Sequence, residues 1–177
     1  NKPYLDEFLL PLMEEIMTRY APDQVWFDNV QTPWNYKDEC VCACCRDAYR
    51  EHFGGELPAA PEGEAWRAVE RFTLWTRDRV IARLMEAVHR MAPDTDVSVN
   101  FIGFFPESVV LPQGLDRLSA DCLNDGNLHS APLQAQFIDA YGIPADIMIF
   151  EKIGADDERF YRSMPLLLAD CSTILPH

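Results

Sequence analysis

An α/β fold is predicted for this chain: a partial TIM (β/α)8 barrel of about four parallel strands with crossover helices. Three observations predict it. Gln24–Asp28 (QVWFD), Asp96–Phe101 (DVSVNF) and Asp146–Glu151 (DIMIFE) are short, largely apolar runs with a polar residue, Asp28, Asn100 or Glu151, at or next to the end. Helical periodicity fills most of the stretches between them, as parallel strands require. No glycine-rich phosphate loop follows any strand, which weakens the competing nucleotide-binding open sheet. The 177 residues read as a single domain spanning 1–177. Because a complete barrel takes roughly 250 residues, that domain is expected to be a fragment, the C-terminal half of a barrel.

Leu5, Phe8, Leu9, Leu12, Met13, Ile16 and Met17 recur at helical spacing, so a helix is predicted over Pro3–Tyr20. Pro11 inside it marks a kink or a late start. Ala21-Pro22-Asp23 breaks the helix ahead of the Gln24–Asp28 strand. A polar loop over Asn29–Glu39 leads to a cysteine cluster, then to a short helix over Ala43–Phe53 closed by Gly54-Gly55. After a Pro/Gly-rich connection, a long helix is predicted over Glu64–Met91, stopped by Pro93. Asp96–Phe101 is the second strand, Leu115–Asp121 the third and Asp146–Glu151 the fourth. Helices are predicted over Ala131–Tyr141 and Asp157–Cys171, and Ser172–Leu175 begins a further element.

Fifteen Lys and Arg against 29 Asp and Glu leave a net charge of −14. Phosphate binding needs a basic face, so no nucleic-acid partner is expected. No apolar run reaches the roughly 18 residues of a membrane span, and no Lys/Arg cluster suits an anionic membrane. A half-barrel would expose two unpaired strand edges, so a second copy of the chain or the remainder of the parent barrel is the expected partner.

Asp28 closes the first strand, beside Trp26 and ahead of Trp34 and Tyr36. In a barrel, strand C-termini converge on the active site. A carboxylate held there among aromatic rings suits glycosidic chemistry, which sets two carboxyls about the scissile bond. Asp121 and Glu151 close two other strands and are the candidate catalytic partners, with Glu107 in the loop after the second strand. Trp26, Trp34 and Tyr36 offer faces for sugar rings, and Asn100 a hydrogen bond for a sugar hydroxyl. Read by itself, each of these residues has an ordinary structural role as well, as a cap or a solvated loop charge.

Four of the six cysteines fall within Cys40–Cys45. Cys40, Cys42 and Cys45 form a C-x-C-x-x-C pattern that can wrap one side of a tetrahedral zinc ion. Cys122, Cys171 or a residue outside the chain is the expected fourth ligand. The other reading is a set of small buried thiols. Clustered thiols of this kind point to a reducing compartment, so a cytoplasmic location is expected.

Two motifs carry a family resemblance. Asn1-Lys2-Pro3-Tyr4, a helix, and then Tyr20-Ala21-Pro22-Asp23-Gln24-Val25-Trp26-Phe27-Asp28 resembles the α-L-fucosidase family. There the aspartate of the Trp-Phe-Asp strand is the nucleophile, a role that would fall on Asp28. The following CVCACCRDAYREHFGGELP stretch is similar to the hypothetical glycosyl hydrolase 6 family, a fucosidase-related barrel group. The likeness covers 1–58 well and the rest loosely. It implies an α-L-fucosidase-like glycoside hydrolase with a carbohydrate substrate and no cofactor for catalysis. Where that group tends to end its third strand in Glu, this chain has Asp121. The cysteine loop also looks like the zinc loop of family-42-type β-galactosidases, whose preceding strand ends Asp-Asn-Glu. Val30 stands at the Glu position here and cannot transfer a proton, so only the metal part of that likeness applies. Val30 and Asp121 favour the alternative, a non-catalytic carbohydrate-binding or structural domain on a degenerate barrel, zinc-stabilised or not.

Overall fold

A π-helical turn over Tyr4–Leu9 runs directly into helix α1, Leu10–Tyr20. Pro11 lies in the first turn of α1. Its ring nitrogen has no hydrogen to donate, and the pitch changes just ahead of it. The kink or late start expected at Pro11 is therefore a switch from π to α geometry. Ala21 ends α1 in the left-handed conformation, φ 42° and ψ 57°, with its N–H donating to the Met17 carbonyl at 3.2 Å. The computed structural model describes residues 3–28, 30, 40–58, 63–101, 114–123, 140–150 and 173–176. Contacts divide the chain into two compact units, one of Asn1–Pro22 with Gln31–Asp94 and one of Asp23–Val30 with Thr95–His177.

The regular structure described in the first unit is helical. It joins α1 to α2 (Ala43–Phe53) and α3 (Ala65–Met91), close to the ranges that the sequence predicts. Gly54 takes φ 70° and ψ 149° and stops α2, a backbone region that is essentially glycine's own. α1 packs against α3, and Asp6 of the π-helical turn pairs with Arg83 of α3 at 2.6 Å. Tyr49, Leu57, Val69 and Phe72 form a buried cluster, with Phe53 and Trp75 packed against it. Tyr49 meets Phe72 edge-on at 5.3 Å between ring centroids. Edge-to-face pairs of this kind contribute roughly 0.5–1.5 kcal/mol beyond the area they bury.

The second unit is a parallel sheet of five strands among the described residues: β1 (Gln24–Phe27), β2 (Asp96–Phe101), β3 (Arg117–Leu123), β4 (Ala145–Phe150) and β5 (Thr173–Pro176). Their spatial order is β1-β2-β3-β4-β5, and every neighbouring pair is parallel. Sequential parallel order is what a (β/α) barrel wall has. A doubly wound sheet would reverse its order at a switch point, and none occurs among these strands. The architecture is α/β and consistent with part of a barrel. About four strands were expected, and β5 adds one at Ser172–Leu175, where only a beginning was legible. The expected third strand shifts by two residues, from Leu115–Asp121 to Arg117–Leu123. Most of the expected helix over 131–141 and all of that over 157–171 lie outside the described residues.

Side-chain alternation gives this sheet two unlike faces. Val97, Val99 and Leu118 on one face are fully buried, and Phe27 and Ala145 nearly so. Each large aliphatic side chain buried there contributes roughly 1.5–3 kcal/mol. The other face carries Gln24, Trp26, Ser98, Asn100, Arg117, Ser119 and Asp146, placed side by side by the strand register. Among the described side chains, one face of the sheet is therefore apolar and the other polar.

Candidate functional site

Asp28 follows the last residue of β1 and is exposed to solvent. On the adjacent strand β2, the Asn100 amide nitrogen donates to Asp28 Oδ1 at 3.0 Å. Asn100 is 1% exposed, so a carboxylate in water is tied to a side chain fixed inside the sheet. The register explains the meeting. Phe27 pairs with Val99, so the next residue along each strand, Asp28 and Asn100, falls on the polar face at the C-terminal end of the sheet. Trp26, two residues back on the same face, is half-buried, and its indole nitrogen has no hydrogen-bond partner among the described residues. Both Asp28 and Asn100 were singled out in the sequence; their direct hydrogen bond was not, because no spacing rule links residues 28 and 100.

The other expected site residues fall differently. Asp121 lies within β3, paired to Met148 of β4, and the strand continues past it to Leu123. It therefore does not close its strand as the sequence suggested; the ladder with β4 carries β3 two residues further. Trp34, Tyr36, Glu107 and Glu151 lie outside the described residues.

A second polar cluster sits at the opposite, N-terminal end of the sheet, and sequence reasoning missed it. Asp146, 1% exposed, is the second residue of β4. Its carboxylate accepts from Gln24 Nε2 at 3.0 Å, Ser98 Oγ at 3.3 Å and Arg117 Nε at 3.2 Å, and pairs with Arg117 Nη2 at 2.7 Å. The same guanidinium lies 3.6 Å from Asp96. Hydrogen bonding to Asp146 holds the Arg117 pKa above its ordinary value. One buried carboxylate thus collects donors from β1, β2 and β3. The available signal was a polar residue at or next to the start of each of β1 to β4 (Gln24, Asp96, Arg117 and Asp146), but polar starts also suit ordinary strand ends.

In the helical unit, Cys40, Cys42 and Cys45 bring their sulfurs within 4.8 Å of one another. The Sγ atoms of Cys42 and Cys45 are 3.6 Å apart. Cys42 occupies the N-cap of α2, where free backbone N–H groups favour a thiolate. The Cys45 backbone N–H and the neighbouring thiols of Cys40 and Cys45 lower the Cys42 pKa to about 7. Burial, reinforced by the adjacent sulfurs, pushes Cys45 up to about 12. Cys44, Cys45, His52, Trp75 and Arg79 border a cavity of about 530 Å³ between α2 and α3. Arg79 lies 4.6 Å above the Trp75 ring.

No protein-family model matches the chain, and no curated protein matches it. Among solved structures, the chain is similar to the β-glucuronidase of Bifidobacterium dentium, solved with coumarin-3-O-glucuronide, at a TM-score of 0.42 and 12% identity. The match covers 97% of this chain and 36% of the glucuronidase chain, so this chain spans about a third of that protein's length. Among the described residues, no helix is long and apolar enough to cross a membrane.

Proposed function

We propose that this chain is part of a glycoside hydrolase of the α-L-fucosidase-like kind, with Asp28 as the nucleophilic carboxylate. The observation that carries the reading is the position of Asp28. It stands in solvent just past the C-terminal end of a parallel strand, tied at 3.0 Å to the buried Asn100 of the next strand. Trp26 lies on the same face and supplies an aromatic surface for a sugar ring. In such chemistry one carboxyl protonates the leaving oxygen while another attacks the anomeric carbon or activates water. Asp121 is the first candidate for the proton donor and Glu151 the second, with Trp34 and Tyr36 as further sugar-binding rings. The strands that complete a barrel beyond the edges of β1 and β5 come, in this reading, from the parent polypeptide or a second copy.

The test is turnover of a panel of 4-nitrophenyl glycosides, the α-L-fucoside among them, by the full-length protein and its Asp28→Asn variant. Loss of turnover by roughly 1,000-fold or more is expected, the scale on which removing one member of a catalytic set acts. Equal turnover by both proteins would remove Asp28 from the mechanism. Sugar binding by calorimetry with no turnover in the wild type would favour a non-catalytic carbohydrate-binding domain instead.

A second reading concerns the thiols and has its own observation. Zinc bound at about 2.3 Å to each of two thiolates in a tetrahedron sets the sulfurs roughly 3.8 Å apart. The 3.6 Å between Cys42 and Cys45 is close to that spacing, and Cys40 lies within reach of both. Cys40, Cys42 and Cys45 would hold the ion and clip the loop to the start of α2. Its contribution is structural, with no part in bond cleavage.

A further inference from the structure

We infer that Asn100 is a positioning residue that fixes the carboxylate plane of Asp28, rather than only a donor to a sugar hydroxyl. The inference rests on the reading of Asp28 as the reacting carboxylate and adds a role for its neighbour. Asp28 lies one residue beyond the β1–β2 ladder, which ends at Phe27 and Val99. An exposed aspartate there would sample several side-chain rotamers. Asn100 has no such freedom. It is a strand residue, 1% exposed, next to the fully buried Val99. Its Nδ2 donates to Oδ1 of Asp28 at 3.0 Å, which restricts rotation of the carboxylate.

The chemistry of the donor matters as much as its position. A side-chain amide donates a hydrogen bond but neither gives up nor takes a proton near neutral pH. It can therefore orient Asp28 without competing for its proton and without adding charge. A carboxylate at the same position would repel Asp28 or share a proton with it. A lysine would hold it by charge, but on a flexible stem. Asparagine, short and planar, sets direction with the least disturbance to the reactivity of the group it holds. Orientation of a reacting group is worth a great deal, since a misplacement of about 1 Å can cost on the order of 100-fold in rate.

Two measurements on the full-length protein test this, and only one depends on turnover. The first follows the Asn100 side-chain amide in ¹H–¹⁵N spectra, assigned by its loss in Asn100→Ala. Its resonances should move as Asp28 is protonated, and that pH response should vanish in Asp28→Asn. The second compares kcat and KM on the best 4-nitrophenyl glycoside for Asn100→Ala and for the isosteric Asn100→Asp. Asn100→Ala should lose roughly 10- to 100-fold in kcat with KM within about twofold. Asn100→Asp keeps the shape and so guards against a folding defect. It should move the acid limb of the pH–rate profile upward, because two carboxylates about 3 Å apart cannot both ionise freely.

The inference is overturned if the amide resonances ignore Asp28, or if Asn100→Ala keeps wild-type kcat while Asp28→Asn is dead. It also falls if Asp28→Asn keeps full turnover or the wild type cleaves none of the glycosides. In that case a persistent amide response shows that the hydrogen bond is real and that the nucleophile reading is what failed.

Discussion

Arg117 Nη2 lies 2.7 Å from Oδ1 of Asp146, joining the first residue of β3 to the second residue of β4. Asp146 is 2% exposed at its side chain and Arg117 15%, so solvent does little to screen the pair. The carboxylate also accepts from Gln24 and Ser98, which supplies the extra hydrogen bonds a buried charge needs. Removing one partner leaves the other charge uncompensated. Arg117→Met should therefore destabilise the protein by about 3 kcal/mol, read from urea denaturation. The double variant Arg117→Met with Asp146→Leu should recover part of that loss, since it leaves no lone buried charge. A loss below about 1 kcal/mol for Arg117→Met, within the range of a surface ion pair, would show that the cluster does not hold the strand starts together.

The thiols of the α2 N-terminus should separate by reactivity. The pKa of Cys42 lies near 7, below the usual value, and that of Cys45 near 12, above it. Only the thiolate attacks an alkylating agent. A lowered pKa means that the thiolate forms at lower pH. The Cys42 rate with iodoacetamide should thus climb through pH 7 and level off above it. Cys45 should react slowly throughout the range from pH 6 to 9. Peptide mass spectrometry on metal-free protein reads both rates, and equal labelling of the two would contradict the assignment. Added zinc should protect Cys40, Cys42 and Cys45 together while Cys44 still labels. Protection of all four or of none would remove the three-thiol metal site.

Much of this architecture could be read from local pattern. The closing Gly54-Gly55 pair located the end of α2, apolar spacing located α3 to within a residue, and the QVWFD and DVSVNF runs located β1 and β2, because caps and one-sided burial leave local marks in the sequence. The C-x-C-x-x-C trio was legible for the same reason: its three thiols are close in sequence, so local geometry decides whether they meet. Long-range polar pairing leaves no such trace. Asp28 with Asn100 and Asp146 with Gln24, Ser98 and Arg117 depend on strand register, which is set by the whole sheet. β5 was only half visible, since four residues ending in Pro176 are too few to show alternation.

Ala21 and Gly54 should respond to substitution in opposite directions. Ala21 caps α1 at φ 42°, where a Cβ costs roughly 1–2 kcal/mol. Ala21→Gly relieves that cost but loosens the unfolded chain by about 0.5–1 kcal/mol. A net gain of about 0.5 kcal/mol is expected. Gly54, at φ 70°, has nothing within 4 Å of where a Cβ would stand. A Gly54→Ala penalty would come from the backbone alone, of order 1–3 kcal/mol. Thermal unfolding of the two variants checks both signs, and a stabilising Gly54→Ala would contradict the conformation that ends α2.

Phe72 tests whether the helical unit owes its stability to the aromatic cluster. Its ring is T-shaped to Tyr49 and Phe53, at 5.3 and 5.8 Å, and stacked beside Trp75 at 5.9 Å. It is 5% exposed. Phe72→Ala removes those three contacts and leaves a cavity, for an expected loss of 3–5 kcal/mol. Phe72→Leu keeps most of the volume but not the ring geometry, and should cost less than half as much. Because Trp75 packs against Phe72, Phe72→Ala should also move its fluorescence towards that of an indole in water, while Phe72→Leu leaves it near the wild-type position. Equal stability losses in the two variants would mean that ring–ring contacts, rather than filled volume, set the strength of this core.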